Sequence, residues 1–387
     1  MFRIGKEEIE AVARVIEAKD FFKMNSSLHE SEYVEEDIRQ KFGAEHALVM
    51  TSGHAALVSA LVAMGIGPGD QVIVPAYTYI ATAMAVVCVG AIPVIAEVDE
   101  SLTLCPADTE RKITSHTKAI IPVHIQGFPS KMDELTEIAK RHGLFVLEDA
   151  CQADGAAYKG KKLGTIGDAG ALSFNFYKVI SAGEGGAMLT NNKKIFERAL
   201  IYHDSNAVSY FGNQLDGVDT PLFCGSEYRT NDITAAILRV QLTRLDGIIA
   251  DLRKNKRLIM NEISDVCSLV PSNDIEGDLG TTLAIRFDTA EQAIAFVGAH
   301  GHSLRPISTG KHVYSKWTPI MNKVGAYNPL MDPYKMEANK DIIPDYTADM
   351  CPKTLDYLAR TVYVKINPDW TAEDCLAEAN RIKEALK

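Results

Sequence analysis

Positive charge, paired cysteines and long apolar runs are all scarce in this chain. It has 40 Lys and Arg against 51 Asp and Glu, a net charge of −11 over 387 residues. With no general basic face to neutralise phosphates, nucleic-acid binding is excluded as the main activity, though a local basic pocket is not. The seven cysteines are odd in number and scattered, with no CxxC and no His/Cys cluster at metal-ligand spacing. This argues for reduced thiols and against a metal centre. No signal peptide is evident, and no apolar run reaches the ~18 residues of a membrane span. The expectation is a cytoplasmic protein with no membrane partner. There is no internal repeat and no low-complexity segment.

What the chain does have is alternation. Lys6 to Lys19 carries Ile9, Val12, Val15 and Ile16 at helical spacing. Residues 20–34 are polar and irregular with exposed aromatics, a surface loop or a subunit contact. A second helix runs from Glu35 to Phe42. Short apolar strands at 47–50, 72–74, 92–96, 119–123, 144–147 and 187–190 then alternate with helices at 55–64, 79–89, 131–142 and from 193. Unalternating Val/Ile/Leu strands in a β-α-β-α order predict a mainly parallel sheet covered on both faces. In such sheets working residues lie beyond the carboxyl ends of the strands. Residues 204–225 read as a long polar loop and Thr230 onward as a long helix. A smaller α+β domain is expected over 251–387, after a large domain at 1–250 whose N-terminal helix is a candidate to pack on the smaller one. The loop-rich stretch 305–350, with His312, Tyr314, Trp317, Tyr327 and Tyr334, is assigned part of a substrate pocket.

Candidate chemistry is concentrated between Phe145 and Gly186. Asp149 ends an apolar strand, and Lys178 stands among Phe174, Phe176, Val179 and Ile180. Desolvation there would lower the lysine pKa and suit a Schiff base with an aldehyde cofactor. The alternative is an ordinary surface lysine. A buried aspartate needs a cationic partner, and a protonated pyridine nitrogen is one. Ser52 and Gly53 open a helix whose free N–H groups can take a phosphate, with Ser173 adding a hydroxyl. Tyr79 or Tyr77 can stack on a flat ring, and Tyr77 is also a candidate substrate contact. Together these describe a site for pyridoxal 5'-phosphate (PLP).

The motifs TSGHAAL (51–57), GDQVIVPAYTYIAT (69–82), VHIQGFPSKMDEL (123–135), LEDACQADGAAYKGKKLGTIGDAGALSF (147–174), GEGG (183–186) and YRTNDITAAILRVQLTRLD (228–246) resemble the DegT/DnrJ/StrS sugar aminotransferases. The resemblance implies PLP fold-type I, the aspartate aminotransferase-like α/β architecture. It implies Lys178 as the Schiff-base and proton-shuttling lysine and Asp149 as the acid at the ring nitrogen. Gln152 would stand near the phenolic oxygen, and Ser52, Gly53 and Ser173 would form the phosphate set. It also implies a homodimer with active sites at the interface, an amino-acid donor (glutamate or glutamine) and a sugar-like acceptor. That acceptor would be a nucleotide-linked ketosugar or an 8-oxo-octulosonate type.

Two departures from the family pattern stand out. His54 replaces a threonine, leaving only a backbone N–H for the phosphate. Glu227 replaces an asparagine expected to reach the partner's cofactor phosphate, and is expected to turn away or meet a cation; Asn231 is a substitute. His124 is either a substrate contact or a satisfied structural histidine. Arg229 either holds an anion or braces the interface. Lys311 and His312 are candidates for an anionic substrate, and His203 and Asp204 for a substrate role or a plain helix end. The alternative activity is a lyase, either a dehydratase or a 3-amino-5-hydroxybenzoate synthase type. The dehydratases commonly carry histidine where this chain has Lys178.

Overall fold

The computed structural model describes residues 3–24, 26–205, 207–210, 215 and 217–387. Helices α1 (Lys6–Ala18) and α2 (Glu30–Phe42) precede strand β1 (His46–Met50). Then α3 (Gly53–Ala63), β2 (Gln71–Pro75), α4 (Ala81–Cys88), β3 (Ile92–Ala96), α5 (Pro106–Arg111), β4 (Thr117–Ile120), α6 (Met132–His142) and β5 (Phe145–Asp149) alternate. A small hairpin, β6 (Ala157–Tyr158) and β7 (Lys161–Lys162), leads to β8 (Ala169–Ser173) and β9 (Gly186–Thr190). Helices α7 (Lys193–His203) and α8 (Asp232–Ile263) follow. The chain closes with β10 (Ser268–Leu269), β11 (Thr282–Arg286), α9 (Ala290–His300), α10 (Thr318–Met321), α11 (Pro352–Ala359), β12 (Thr361–Lys365) and α12 (Ala372–Ala385).

The main sheet has seven strands in the order β1-β9-β8-β5-β4-β2-β3. The run from β8 to β3 is parallel, and β9 is antiparallel to both of its neighbours. Successive residues of a strand feed opposite faces, and both faces are covered. Leu48, Met50, Val72, Val74 and Leu147 join the core beneath α3 and α4. Ala47, Val49, Ile73, Val146 and Leu189 join the core beneath α2, α6 and α8. This is why the strands read as unbroken apolar runs.

A three-stranded antiparallel sheet, β10-β11-β12, forms the smaller unit with α9 and α12. Helix α8 runs unbroken past residue 250, so the expected boundary between 1–250 and 251–387 falls inside a helix. Helix α1 rests on α8, where Ala11 and Val15 pack on Ala236 and Arg244 pairs with Glu7 and Glu8. Arg3 reaches the smaller unit, pairing with Asp369 at 2.9 Å as well as with Asp251 at 2.7 Å. Of the four apolar residues assigned to the helix face, Val15 is buried while Ile9 and Ile16 are exposed.

The 305–350 region docks on the large unit beside β2: Tyr314 N donates to Ala76 O at 3.0 Å and Thr78 N to His312 O at 3.0 Å. Tyr314, Trp317 and Tyr334, expected near the substrate, are instead core residues, and Tyr327 stands in solvent. Their size lets them fill the joint between units, which a polar pocket would leave hollow. No described helix is long and apolar enough to cross a membrane. The long loop at 204–225 lies partly outside the described residues, at 206, 211–214 and 216.

Candidate active site

Lys178 sits in the excursion that joins β8 to antiparallel β9. The loop is closed on itself: Phe176 N donates to Gly183 O at 2.9 Å, and Lys178 N to Asn175 O at 3.0 Å. Asn175 Nδ2 holds both oxygens of Glu184 at 3.0 Å, so Glu184 shapes the loop. The apolar jacket expected around Lys178 is one-sided. Phe174, Val179 and Ile180 turn into the core, whereas Phe176 is exposed and Lys178 itself half-buried. What faces the amine is polar. Its charge is felt by Cys151, Asp154, His312 and Lys365, which come from three different parts of the chain.

Asp149 ends β5 and is buried. Its Oδ2 accepts from Thr82 Oγ1 at 2.7 Å, and its Oδ1 from Cys151 N at 3.2 Å. Thr82, on α4, escaped the sequence reading because nothing in its own segment points to β5. Gln152 follows, and its Oε1 accepts from Gln126 N at 3.1 Å and Gln126 Nε2 at 3.3 Å.

Ser52 is the N-cap of α3, with its Oγ accepting from Ala55 N at 3.0 Å. The hydroxyl is therefore partly spent on the helix, while the amides of Gly53 and His54 in the first turn have no intrahelical acceptor. A Cβ on Gly53 would lie 2.6 Å from Cys151 Sγ and 2.9 Å from Ser173 Cβ. Glycine is thus required where the helix start meets β8, and the contact brings Ser52, Gly53 and Ser173 together. Gly186 is bound similarly: a Cβ there would meet Ser52 C at 2.3 Å. The His54 ring turns aside, with Nδ1 3.3 Å from Ala81 O, and burial lowers its pKa. It offers the cradle a backbone N–H and no cation.

Asp154, a second residue the sequence reading missed, lies buried against the cradle, with Oδ1 accepting from Ser173 N at 3.3 Å. Burial pushes its carboxyl well above the usual range, although Lys178 pulls the other way. Its signal was its place in the DACQAD run, three residues from Cys151.

Tyr77 and Tyr79 part company. Tyr77 is fully buried in the core, whereas Tyr79 keeps an open face, its ring 5.5 Å from that of His312 and 5.6 Å from Lys311 Nζ. Burial in the core gives Tyr77 a packing role where a substrate contact was expected. His312 Nδ1 is buried without a hydrogen-bond partner among the described residues. Its pKa is lowered to about 4, first by burial and then by Lys311 and Lys178.

Of the two readings of His124, its buried hydrogen bonds favour the satisfied structural histidine over the substrate contact. Ser130 N donates to its Nδ1 at 3.0 Å, so Nε2 carries the hydrogen and donates to Glu148 Oε2 at 3.1 Å. Arg229 is held by its own chain: Nη2 pairs with Glu227 Oε1 at 2.9 Å, Nη1 donates to Asp204 O at 2.7 Å, and the cation lies 5.2 Å from the Phe22 ring. Glu227 has thus met a cation. Asn231 caps α8, with Oδ1 accepting from Thr234 N at 3.0 Å.

The donor set fits PLP. It offers a glycine-lined helix start for a phosphate, a buried carboxylate for a ring nitrogen, an open tyrosine face and a lysine amine over the same sheet edge. Among the described residues no cluster of His, Cys, Asp and Glu could hold a metal ion.

The model of the DegT/DnrJ/EryC1/StrS aminotransferase family matches residues 3–297. GDP-perosamine synthase of Caulobacter vibrioides is 43% identical over 213 residues, 54% of this chain and 55% of that protein. The spore coat polysaccharide biosynthesis protein SpsC of Bacillus subtilis is 36% identical over 276 residues, 69% and 68% of the two chains. The match thus spans about half the length of GDP-perosamine synthase and two thirds of SpsC. Among solved structures, 3-amino-5-hydroxybenzoic acid synthase superposes with a TM-score of 0.79 at 27% identity, over 99% of this chain and 97% of that one. DesV of S. venezuelae, in complex with a ketimine intermediate, gives 0.78 at 27% identity over 98% and 94%. The chain belongs to the DegT/DnrJ/EryC1/StrS aminotransferase family.

Proposed function

We propose that this protein is a PLP-dependent aminotransferase that moves an amino group from an amino acid, glutamate or glutamine, to the carbonyl of a sugar-like acceptor. The observation that supports this reading is that Asp149, the Ser52–Gly53 helix start and the Lys178 loop gather around Cys151 and Ser173, beyond the carboxyl ends of the inner strands β5 and β8. Bound there, PLP supplies an electron sink for the bond broken at the amino-bearing carbon. Gly53 N, His54 N and Ser173 would hold its phosphate. Asp149, oriented by Thr82, would face the ring nitrogen and favour its protonated form. Tyr79 would lie against the ring. Lys178 Nζ would be the amine that binds the cofactor aldehyde and the base that moves a proton at the reacting carbon.

Nucleotide-linked ketosugars are the first acceptors to test, because the relatives include a GDP-perosamine synthase and a dTDP-amino-sugar transaminase. An 8-oxo-octulosonate is the second. Exposed Ile4, Ile9, Ile16, Phe21, Phe22 and Tyr33 near the N-terminus support a homodimer. A lyase of the 3-amino-5-hydroxybenzoate synthase type is the second reading, favoured by the superposition over nearly the whole chain. The test is a half-reaction screen. Protein loaded with pyridoxamine phosphate is given ketosugars and keto-acid sugars, and the visible band of the lysine-held cofactor is followed. Its return with a ketosugar supports the transaminase. A protein that takes up neither cofactor form contradicts it.

A further inference from the structure

Lys365 ends β12 of the smaller unit and reaches across to the active-site cleft. Its Nζ donates to Thr282 Oγ1 at 3.0 Å and to Gln126 Oε1. Gln126 in turn donates twice to Gln152 Oε1, from its backbone N at 3.1 Å and from Nε2 at 3.3 Å. The ends of this chain fix its polarity. A lysine ammonium only donates, so Gln126 must present its oxygen to Lys365 and its N–H₂ to Gln152. A backbone N–H also only donates, so Gln152 must present Oε1 to Gln126. The remaining edge of Gln152 is its N–H₂, which makes no hydrogen bond among the described residues.

The turn that carries Gln126 is unusual. Gln126 has φ 55° and the next residue, Gly127, φ 85°. A non-glycine residue in the left-handed region is uncommon and persists where its surroundings hold it. Here the smaller unit holds it: Thr281 Oγ1 donates to Gln126 O at 2.9 Å, and Leu279 N to Gly127 O at 3.1 Å.

We propose that Lys365, acting through Gln126, is a positioning residue that locks the Gln152 amide with its N–H₂ edge toward the cofactor ring. This rests on the PLP reading, in which that edge meets the phenolic oxygen. The smaller unit thereby orients a group that touches the cofactor. Among the described residues Lys365 has no carboxylate partner, and although open to solvent along the cleft, its pKa is held at about 8, first by the surrounding walls and then by Lys178. Its charge is therefore spent on neutral amide and hydroxyl oxygens.

The test is a cycle on the full-length protein with PLP as probe, reading the dissociation constant and the pH midpoint of the bound-cofactor spectrum. Gln152→Met sets the reference change, weakening PLP roughly tenfold and shifting the midpoint. Lys365→Met and Gln126→Met are expected to move the midpoint in the same direction and to weaken PLP roughly three- to tenfold, the range of one lost hydrogen bond. In a Gln152→Met background, Lys365→Met is expected to weaken PLP no further, while the midpoint still moves because the Lys365 charge acts on Lys178 directly. Lys365→Arg, which keeps both donor and charge, recovers part of the loss. A full-size loss of PLP affinity from Lys365→Met in the Gln152→Met background overturns the proposal, as does an affinity that Lys365→Met leaves unchanged in the otherwise unmutated protein. Failure of the unmutated protein to bind PLP instead contradicts the functional reading itself.

Discussion

Thr82 Oγ1 stands 2.7 Å from Asp149 Oδ2, joining the start of α4 to the end of β5. An ionised carboxylate only accepts, so Thr82 gives its single hydrogen to Asp149, and Thr78 Oγ1, 2.7 Å away, donates to Thr82. The aspartate is thus oriented before any cofactor arrives. Thr82→Val keeps the shape and removes the donor. Its expected effect is PLP affinity lowered roughly tenfold, or about 1.4 kcal/mol, with Thr82→Ser near normal. Equal affinity in Thr82→Val would show that Asp149 needs no such support.

Gly53 is a tight point of the proposed phosphate cradle. Adding a Cβ puts it 2.6 Å from Cys151 Sγ and 3.2 Å from Leu172 O, and neither belongs to a long flexible side chain. Gly53→Ala is expected to destabilise the cofactor-free protein by about 1–3 kcal/mol and to weaken PLP. Combining it with Cys151→Gly is expected to recover part of the stability, because Ser173 Cβ still crowds the site at 2.9 Å. Denaturant unfolding of the two variants checks both points.

Glu227 pairs with Arg229, but its side chain is 64% exposed. Arg229 is largely buried, but solvent around the Glu227 carboxylate screens the pair, which contributes about 0–1 kcal/mol. Glu227→Gln should therefore leave unfolding almost unchanged. If the partner's phosphate lies near this position in the proposed dimer, the same substitution tightens PLP binding. A stability loss above about 2 kcal/mol would mean that the pair is buried in an assembly.

His203 supplies a pH signature. It is buried, and its pKa is held well below the ordinary value, first by burial and then by the ammonium of Lys23. Nδ1 donates to Leu200 O at 2.7 Å, leaving Nε2 to accept from Lys23 Nζ at 3.4 Å. Glu35 completes the cluster through Lys23, at 2.5 Å, and Arg229 adds positive charge. The folded pKa lies below the unfolded one, so the unfolded chain binds the extra proton first. Stability is complete above about pH 6.5 and falls as pH drops below it, by up to about 1.4 kcal/mol per unit. His203→Gln should flatten that slope between pH 6.5 and 5 in thermal unfolding. An unchanged slope would assign the titration elsewhere.

The reach of the sequence follows from which contacts are local. Strands β1 to β5 and their helices were legible because both faces of the sheet are buried, so apolar runs mark them directly. Ser52, Gly53 and Asp149 could be singled out because each stands at a strand end or helix start, and Lys178 because it is the one cation between β8 and β9. Thr82, Asp154, Gln126 and Lys365 were not, since their roles depend on partners from other segments. Tyr314 and Trp317 misled for the complementary reason. Aromatic residues in a loop-rich stretch resemble a pocket until the unit that covers them is known.

The central claim is that Lys178 is the amine that holds the cofactor, and three lysines, 178, 311 and 365, lie around the cleft. Borohydride reduction of the PLP-loaded protein, followed by peptide mass spectrometry, fixes the cofactor on whichever amine carries it. The account predicts one pyridoxyl-phosphate label, on the peptide containing Lys178, and its loss in Lys178→Ala. Label on Lys311 or Lys365 in the unmutated protein, or no label at all, would contradict it.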